Sequence, residues 1–281
     1  TWLWGGIGLV LAVPLTVCVV VAARAVRGLE FVGILTSDEP PLPPHLAFYE
    51  SLLSADREGL RDAFAEPLTG QPLEAAFDNV VAPTLGQMRR DRDRALLTAE
   101  EFDRMVALVR ERVEALGPEP AAPRAAGPAR PADPLLVLGL PARDEADALG
   151  LDMLSRLLVP AGGRTEVVRP EEADAALGDR EPPALVCIGC MGAGARRRTR
   201  QLVEACRAAL PGVPILVVRW GEGNSPAVRA DLTASGADDV ATSLASARAA
   251  ALHLIRSPGS RAEDEDAPTD WMPALARETT T

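Results

Sequence analysis

Cys187 and Cys190 have a spacing that suggests chemistry, because two residues separate them, as in redox-active and metal-binding thiol pairs. They lie on or at the end of an apolar segment that predicts a strand, not at the start of a helix. We therefore interpret them as packing residues, with a redox or metal-binding pair as the alternative. No second pair of cysteines supports a zinc site, and we expect no metal.

A basic run follows the same predicted strand. Four arginines between 196 and 200 come after Gly192 and Gly194, at the start of a predicted helix. Backbone N–H groups at a helix N-terminus bind anions, so this loop is a candidate anion site. A solvated basic face is the commoner meaning of such a run, and we favour it.

The composition excludes several classes of function. The sequence has no lysine, which rules out a P-loop lysine, a Schiff-base lysine and the kinase ion pair. The net charge of −11 argues against a nucleic-acid partner, because phosphate binding needs a basic face. The segment LGLPARDE has a single glycine and so lacks a dinucleotide fingerprint. No nucleophile with a neighbouring base is visible, so we expect no catalytic residue and no enzyme activity.

The elements that position these residues alternate between strand and helix. The strands are LLVLGL, TEVVR, ALVCIGC, VPILVVR and a short strand at Asp239–Ala241. The intervening helices cover about 144–158, 171–178, 195–209, 225–235 and 243–256. This order predicts an α/β flavodoxin-like doubly wound parallel sheet of five strands. Ligands of such sheets gather at the carboxyl ends of the strands, here near 140–147, 189–194 and 219–224. A phospho-receiver is excluded, because the third strand ends in Gly189 and Cys190 instead of an aspartate.

Composition divides the chain into five segments. They are a transmembrane helix with its basic flank over 1–28, an acidic helical segment over 29–116, a Pro/Ala linker over 117–133, the α/β domain over 134–257 and an acidic disordered tail over 258–281. Within the second segment, helices are predicted over 45–55 and 57–66, and from about 72, where Pro83 should kink or end the helix. The clearest helix starts after Thr98, because Glu101 completes a capping box.

The first segment has the length and polarity of a membrane span. From Thr1 to Ala23 there is no charged side chain, and about 35 Å of helix exceeds the ~30 Å hydrocarbon core. A buried core helix is the alternative. Arg24 and Arg27 follow, which places the C-terminus in the cytoplasm. We expect the end of a multi-pass inner (plasma) membrane protein, with the lipid bilayer and sibling helices upstream of Thr1 as partners.

Three segments of the first half carry a resemblance to a known family. They are WLWGGIGLVLAVPLTVCVVV, LEFVGILTSDEPPL and FYESLLSAD, followed by the helical stretch to Leu116. They resemble the last span and the cytoplasmic extension of the autoinducer-2 exporter (AI-2E) family. The resemblance implies the C-terminal portion of a homo-oligomeric transporter of small solutes, with a cytoplasmic regulatory or interaction domain and no transport residue in this chain. The alternative is a membrane-anchored ligand-sensing module with no transport role.

The α/β segment is similar to cobalamin-binding domains. Those domains carry a DxHxxG motif after the first strand, and Glu145, Asp147 and Gly150 stand at the matching positions here. Asp147 replaces the axial histidine, and a carboxylate is a poor substitute for imidazole on cobalt. We therefore interpret this domain as a cobalamin-binding-like fold that has lost its cofactor. Its ligand-pocket candidates are Asp147, Cys190, Gly192, Gly194 and Trp220.

Overall fold

The computed structural model of the chain describes residues 42–55, 58–62, 71–116, 135–178, 181–192, 194–221 and 225–256. The predicted transmembrane helix over 1–28, the linker over 117–133 and the tail over 258–281 lie outside the described residues.

The described residues before the sheet are helical. The helices are α1 (Pro44–Leu53), α2 (Leu73–Ala76), α3 (Ala82–Asp93) and α4 (Ala99–Ala115), and residues 58–62 form a further helical segment. We call residues 44–116, as far as they are described, the helical module.

Pro83 changes the type of the helix instead of ending it. A π-helical turn, Phe77–Val81, joins α2 to α3, and Pro83 lies in the first turn of α3. A proline within a continuous helix removes one backbone hydrogen bond and crowds the preceding turn. The wider π turn absorbs the change of hydrogen-bond pattern, so the chain stays helical from 73 to 93.

The predicted capping box at the start of α4 is confirmed. The Thr98 hydroxyl accepts the Glu101 N–H at 3.2 Å, and the Glu101 carboxylate accepts the Thr98 N–H at 2.9 Å. The apolar residues of α4, including Phe102, Val106 and Val109, are buried on one face.

Five segments of the second half then form one parallel sheet. The strands are β1 (Leu135–Pro141), β2 (Gly163–Val167), β3 (Leu185–Met191), β4 (Ile215–Trp220) and β5 (Asp239–Ala241). Their order is β2-β1-β3-β4-β5, and every neighbouring pair is parallel. This order is flavodoxin-like and confirms the predicted five-stranded sheet.

Helices cover both faces of the sheet, which explains why β3 and β4 are buried along their whole length. These helices are α5 (Glu145–Leu158), α6 (Arg196–Ala209), α7 (Pro226–Ala234) and α8 (Leu244–Arg256). α5 and α8 share a core cluster on one face, and α6 and α7 share a second cluster on the other. The helix predicted over 171–178 is replaced by two short 3₁₀ turns, Pro170–Glu172 and Ala175–Leu177.

The helical module packs on the α5 and α8 face of the sheet. Its aromatic side chains Phe48, Phe77 and Phe102 belong to the same core cluster as Trp220 of β4. α4 contacts α5, and α3 contacts the ends of β3 and β4. The described residues from Pro44 onward therefore belong to one compact unit.

The two thiols of the CxxC spacing lie on opposite faces of β3. Cys187 belongs to the core cluster that the helical module shares, and Cys190 belongs to the cluster under α6 and α7. An odd separation on a strand places side chains on opposite faces, so the two sulfurs cannot bond to each other in this fold. Both are free and buried.

Replacement of Thr98 by alanine should lower the free energy of unfolding by about 1 kcal/mol, because one side of the capping box is lost. Ser225→Ala is the matched control: Ser225 is the N-cap of α7, yet its side chain makes no capping hydrogen bond. Urea unfolding measures both variants. An equal loss of stability in the two would contradict the capping role of Thr98.

Candidate functional site

The crevice between the carboxyl ends of β1 and β3 is the place where sheets of this order bind ligands, because the strand order reverses there. In this chain the crevice holds a side chain from the helical module. Arg89 of α3 reaches into it and is only 3% exposed.

Arg89 makes a bidentate ion pair with Asp144. Arg89 Nη2 donates to Asp144 Oδ1 at 2.6 Å, and Nη1 donates to Oδ2 of the same carboxylate. Nη2 also lies 3.5 Å from Asp147 Oδ1. We call Arg89, Asp144 and Asp147 the Arg89 ion cluster. It joins the helical module to the start of α5.

An aromatic ring of α4 supports the cluster. The guanidinium carbons of Arg89 and Arg92 lie 5.0 and 4.6 Å from the centre of the Phe102 ring, within the range of cation–π attraction. Arg92 Nη1 also lies 3.5 Å from Asp144 Oδ2. The position of Arg89 is thus fixed by α4 as well as by the two aspartates.

Asp147 ties the start of α5 to the end of β3. Its side chain is fully buried and accepts the Met191 N–H at 2.6 Å and the Arg143 N–H at 2.8 Å. Asp144, the N-cap of α5, accepts the Ala146 N–H at 3.2 Å. Both carboxylates therefore serve the local backbone as well as Arg89.

Burial and charge shift the acidities in the cluster. Burial raises the pKa of Asp147 to about 6, and the nearby Asp144 charge adds to this shift against the lowering effect of Arg89. Burial also opposes the ionisation of Asp144, but the hydrogen bonds and charge of Arg89 hold the pKa of Asp144 below its ordinary value. Asp144 is therefore the firm anionic partner of Arg89.

Two glycines complete the wall of the crevice. Gly192 has a φ of +72°, and a Cβ there would lie 3.3 Å from Arg89 Cγ. Gly194 has a φ of +102°, and a Cβ there would lie 3.4 Å from Arg143 Nη1. The loop after β3 needs glycine at both positions, because L side chains rarely adopt this conformation.

Trp220 fills the space beside the crevice. Its indole is fully buried, and a Cβ on Gly150 would lie 2.5 Å from its Cζ3 atom. A Cβ on Gly189 would meet the same ring atom at 2.9 Å. Gly150, which stands at the glycine position of the DxHxxG motif, therefore makes room for the Trp220 indole.

The structure brings together most of the predicted pocket residues. Asp147, Gly192 and Gly194 wall the crevice, and the Trp220 carbonyl accepts the Gly192 N–H at 2.8 Å. Cys190 differs, because its thiol lies in the core cluster under α6 and α7. Burial raises the pKa of this thiol to about 11, which leaves it protonated at neutral pH.

Sequence reasoning missed Arg89, Asp144 and Arg143. One signal was present: Arg89 follows the buried Leu85 by four residues, which places it on the apolar face of α3. A charged residue on an apolar helix face indicates a buried ion pair, but its partner cannot be read from the helix alone.

The basic run on α6 is a solvated face, as favoured above. Its arginines pair with surface carboxylates in three contacts: Arg196 with Asp231 at 3.5 Å, Arg198 with Asp174 at 2.7 Å and Arg200 with Glu204 at 3.5 Å. Within the described ranges, no group of three or more histidine, cysteine or acidic side chains is arranged to hold a metal ion.

Comparisons with known proteins give similarities to solved structures only. No protein-family profile and no curated protein matches the chain. Among solved structures, the chain is similar to the monomethylamine corrinoid protein of Methanosarcina barkeri, with 11% identity and a TM-score of 0.49 over 74% of this chain and 96% of that chain. It is also similar to the methanol:cobalamin methyltransferase complex MtaBC of Methanosarcina barkeri, with 14% identity and a TM-score of 0.35 over 77% and 81%.

The fold prediction is confirmed at the level of the sheet. The described α/β domain has the flavodoxin-like order of five parallel strands.

The transporter prediction is wrong. No family profile matches, so the resemblance to the autoinducer-2 exporter family has no support. In the part of the chain that the structure describes, no helix is long and apolar enough to cross a membrane. The predictions of solute transport and of an inner-membrane location with a cytoplasmic C-terminus fall with it.

The raised pKa of Asp147 predicts how stability changes with pH. Between about pH 4 and 6 the folded chain keeps a proton on Asp147 that the unfolded chain has lost, so stability falls as pH rises through this window. Asp147→Asn cannot titrate. The difference in unfolding free energy, wild type minus variant, should therefore fall by up to roughly 3 kcal/mol between pH 4 and 7.

Urea unfolding at several pH values measures this difference, and the exposed Asp103→Asn is the control. A difference between wild type and Asp147→Asn that stays constant with pH would contradict the raised pKa.

Proposed function

We propose that the chain is a non-catalytic ligand-sensing domain with a cobalamin-binding-like fold, in which the helical module takes the place of a cofactor at the strand ends. One observation carries this proposal: Arg89 of the helical module occupies the crevice in a buried ion pair with Asp144 and beside Asp147. The module is thus an internal occupant of the crevice where sheets of this order bind ligands.

The residues of the crevice do not fit a corrinoid. Asp147 stands at the position of the axial histidine, and its two oxygens are engaged by backbone N–H groups and face Arg89. Trp220 fills the space over Gly150 and Gly189, so no slot is open there. The similarity to corrinoid proteins is therefore one of fold, and we propose that this domain binds no cobalamin.

The same geometry supports a non-enzymatic role. The described thiols, Cys187, Cys190 and Cys206, are buried, and burial raises the pKa of each to between about 11 and 12. A nucleophilic cysteine needs the thiolate, which these environments disfavour. The two carboxylates in the crevice are held by Arg89 and by backbone N–H groups. They act as anchors for the helical module.

Such an arrangement suits a two-state element. A buried ion pair adds little net stability compared with apolar packing, but loss of one partner leaves an unpaired buried charge. Arg89 therefore decides between the closed arrangement and an open one in which its carboxylates meet water. A ligand that prefers one of the two arrangements would shift the balance by the difference in its affinities.

Hydrogen exchange of the full chain tests closure by Arg89. In Arg89→Met, the amides of 189–192 and 143–147 should exchange at least tenfold faster, because Asp147, which accepts the Met191 and Arg143 N–H groups, loses its cation. Arg94→Met is the matched control, since Arg94 is exposed at the end of α3, and exchange there should stay within twofold of wild type.

Exchange of the amides of the buried strand β1 reports global unfolding, so unchanged exchange there shows that any opening is local. Asp144→Asn is a second, milder variant. Unchanged exchange at 189–192 in both Arg89→Met and Asp144→Asn would contradict the proposed role of the cluster.

A second experiment tests the absence of a corrinoid. The full chain and Arg89→Met are incubated with hydroxocobalamin and separated from free ligand by gel filtration. Neither protein should carry corrin absorbance, because Trp220 still fills the slot and Asp147 is a poor axial ligand even when Arg89 is gone. Co-elution near one corrin per chain would overturn this part of the proposal.

A further inference from the structure

A cavity of about 310 Å³ lies where the helical module meets the ends of β4 and β5. Both parts of the chain line it: Asp78, Ala82, Pro83 and Arg90 come from the helical module, and Gly221, Thr242 and Ser243 come from the α/β domain. It is separate from the crevice that Arg89 fills, because none of the Arg89 ion cluster lines it.

Beside the cavity, two glycines let the backbones of the helical module and the α/β domain approach closely. A Cβ on Gly221 would lie 3.6 Å from the Cα of Gly86 on α3, and Gly221 has a φ of +74°. The helix and the end of β4 therefore cross almost backbone to backbone. Movement of the helical module away from the sheet would divide the lining of the cavity into two halves.

One end of the cavity is positively charged. Arg90 donates from Nε and Nη2 to Gln87 Oε1 at 3.2 and 2.8 Å, and its Nη1 lies beside Gly86. Arg89 and Arg92 each have a carboxylate within 4.0 Å, whereas no carboxylate among the described residues lies that close to Arg90. Arg90 therefore brings a charge to the cavity that an oxyanion would balance.

The other end of the cavity is acidic and hydroxylated. Asp78 lines this end, beside the start of α8. It accepts the N–H groups of Leu244 and Ala245, at 2.6 and 3.0 Å, so its charge is partly balanced by the start of α8. Thr242 and Ser243 add hydroxyl groups near this end. An anion is disfavoured here, and a hydroxyl group of a ligand is favoured.

We propose that this cavity binds a small hydroxylated molecule whose oxyanion, a carboxylate or a phosphate, pairs with Arg90 while its hydroxyl groups face Thr242, Ser243 and Asp78. The volume holds about ten non-hydrogen atoms, since a water occupies roughly 30 Å³. This inference rests on the proposed function, because a ligand held by both parts of the chain stabilises the closed arrangement.

Calorimetric titration of the full chain tests the site with two probes of the right size, malate for a carboxylate and glycerol 3-phosphate for a phosphate. Sodium chloride at equal ionic strength is the reference. At least one probe should give a saturable heat of binding with wild type that the chloride reference does not give. The probe with the lower dissociation constant identifies the oxyanion.

Variants place the binding in the cavity. Arg90→Met should weaken binding at least tenfold, and Arg94→Met, its neighbour outside the cavity, should change binding less than twofold. Thr242→Val is a second variant, to be used if Arg90→Met disturbs the fold. It keeps the side-chain shape, removes a hydroxyl group from the cavity and should weaken binding severalfold. Failure of both probes to bind above the chloride reference, or equal losses in Arg90→Met and Arg94→Met, would overturn the proposal.

Arg89→Met separates the two proposals. Arg89 does not line the cavity, so Arg89→Met should affect probe binding only by lowering the fraction of molecules in the closed arrangement. We expect this to weaken probe binding several-fold. Probe binding that depends on Arg90 but is unchanged in Arg89→Met supports the site and contradicts sensing by closure. Faster hydrogen exchange in Arg89→Met without any probe binding supports closure and contradicts the site.

Discussion

The ion pair between Arg89 and Asp144, with Asp147 beside it, is the contact on which the arrangement of this chain depends. Removal of charges such as those of Arg89 and Asp147 from water is expensive, and it is repaid only when each charge has a partner in good geometry. Here Arg89 has a bidentate carboxylate and an aromatic ring, while Asp147 has two backbone N–H groups. These requirements are met together only when α3 lies over the ends of β1 and β3. The cluster therefore specifies a position more than it adds stability.

The same contact explains why a sheet of this order does not by itself imply a particular ligand. A parallel sheet of this order offers a crevice at its switch point whatever the side chains are. What enters the crevice depends on the few residues that face it. In this chain they are acidic and select a guanidinium, and the indole of Trp220 occupies the neighbouring space. The fold and the occupant of the crevice are thus set by different residues.

Local sequence patterns were enough to predict most of the fold. The apolar runs of β1, β3 and β4 and the Thr98 capping box are visible because their partners lie within a few residues or repeat with a fixed period. The site was harder to predict, since Arg89 and Asp144 are 55 residues apart and nothing local links them. Asp147 was predicted as a pocket residue only because it stands at the histidine position of the DxHxxG motif. The transporter prediction failed because it rested on short segment resemblances, each of which is weak alone.

The contact between Asp78 and the start of α8 has a consequence for the order of the chain in space. Asp78 accepts two N–H groups of the last described helix across 166 and 167 residues, and Glu74 pairs with Arg248 of the same helix at 2.8 Å. The segment around α2 and the last described helix, α8, therefore hold each other in place. Removal of either segment would therefore loosen the other one as well. New termini placed in an exposed loop between them would leave these contacts intact.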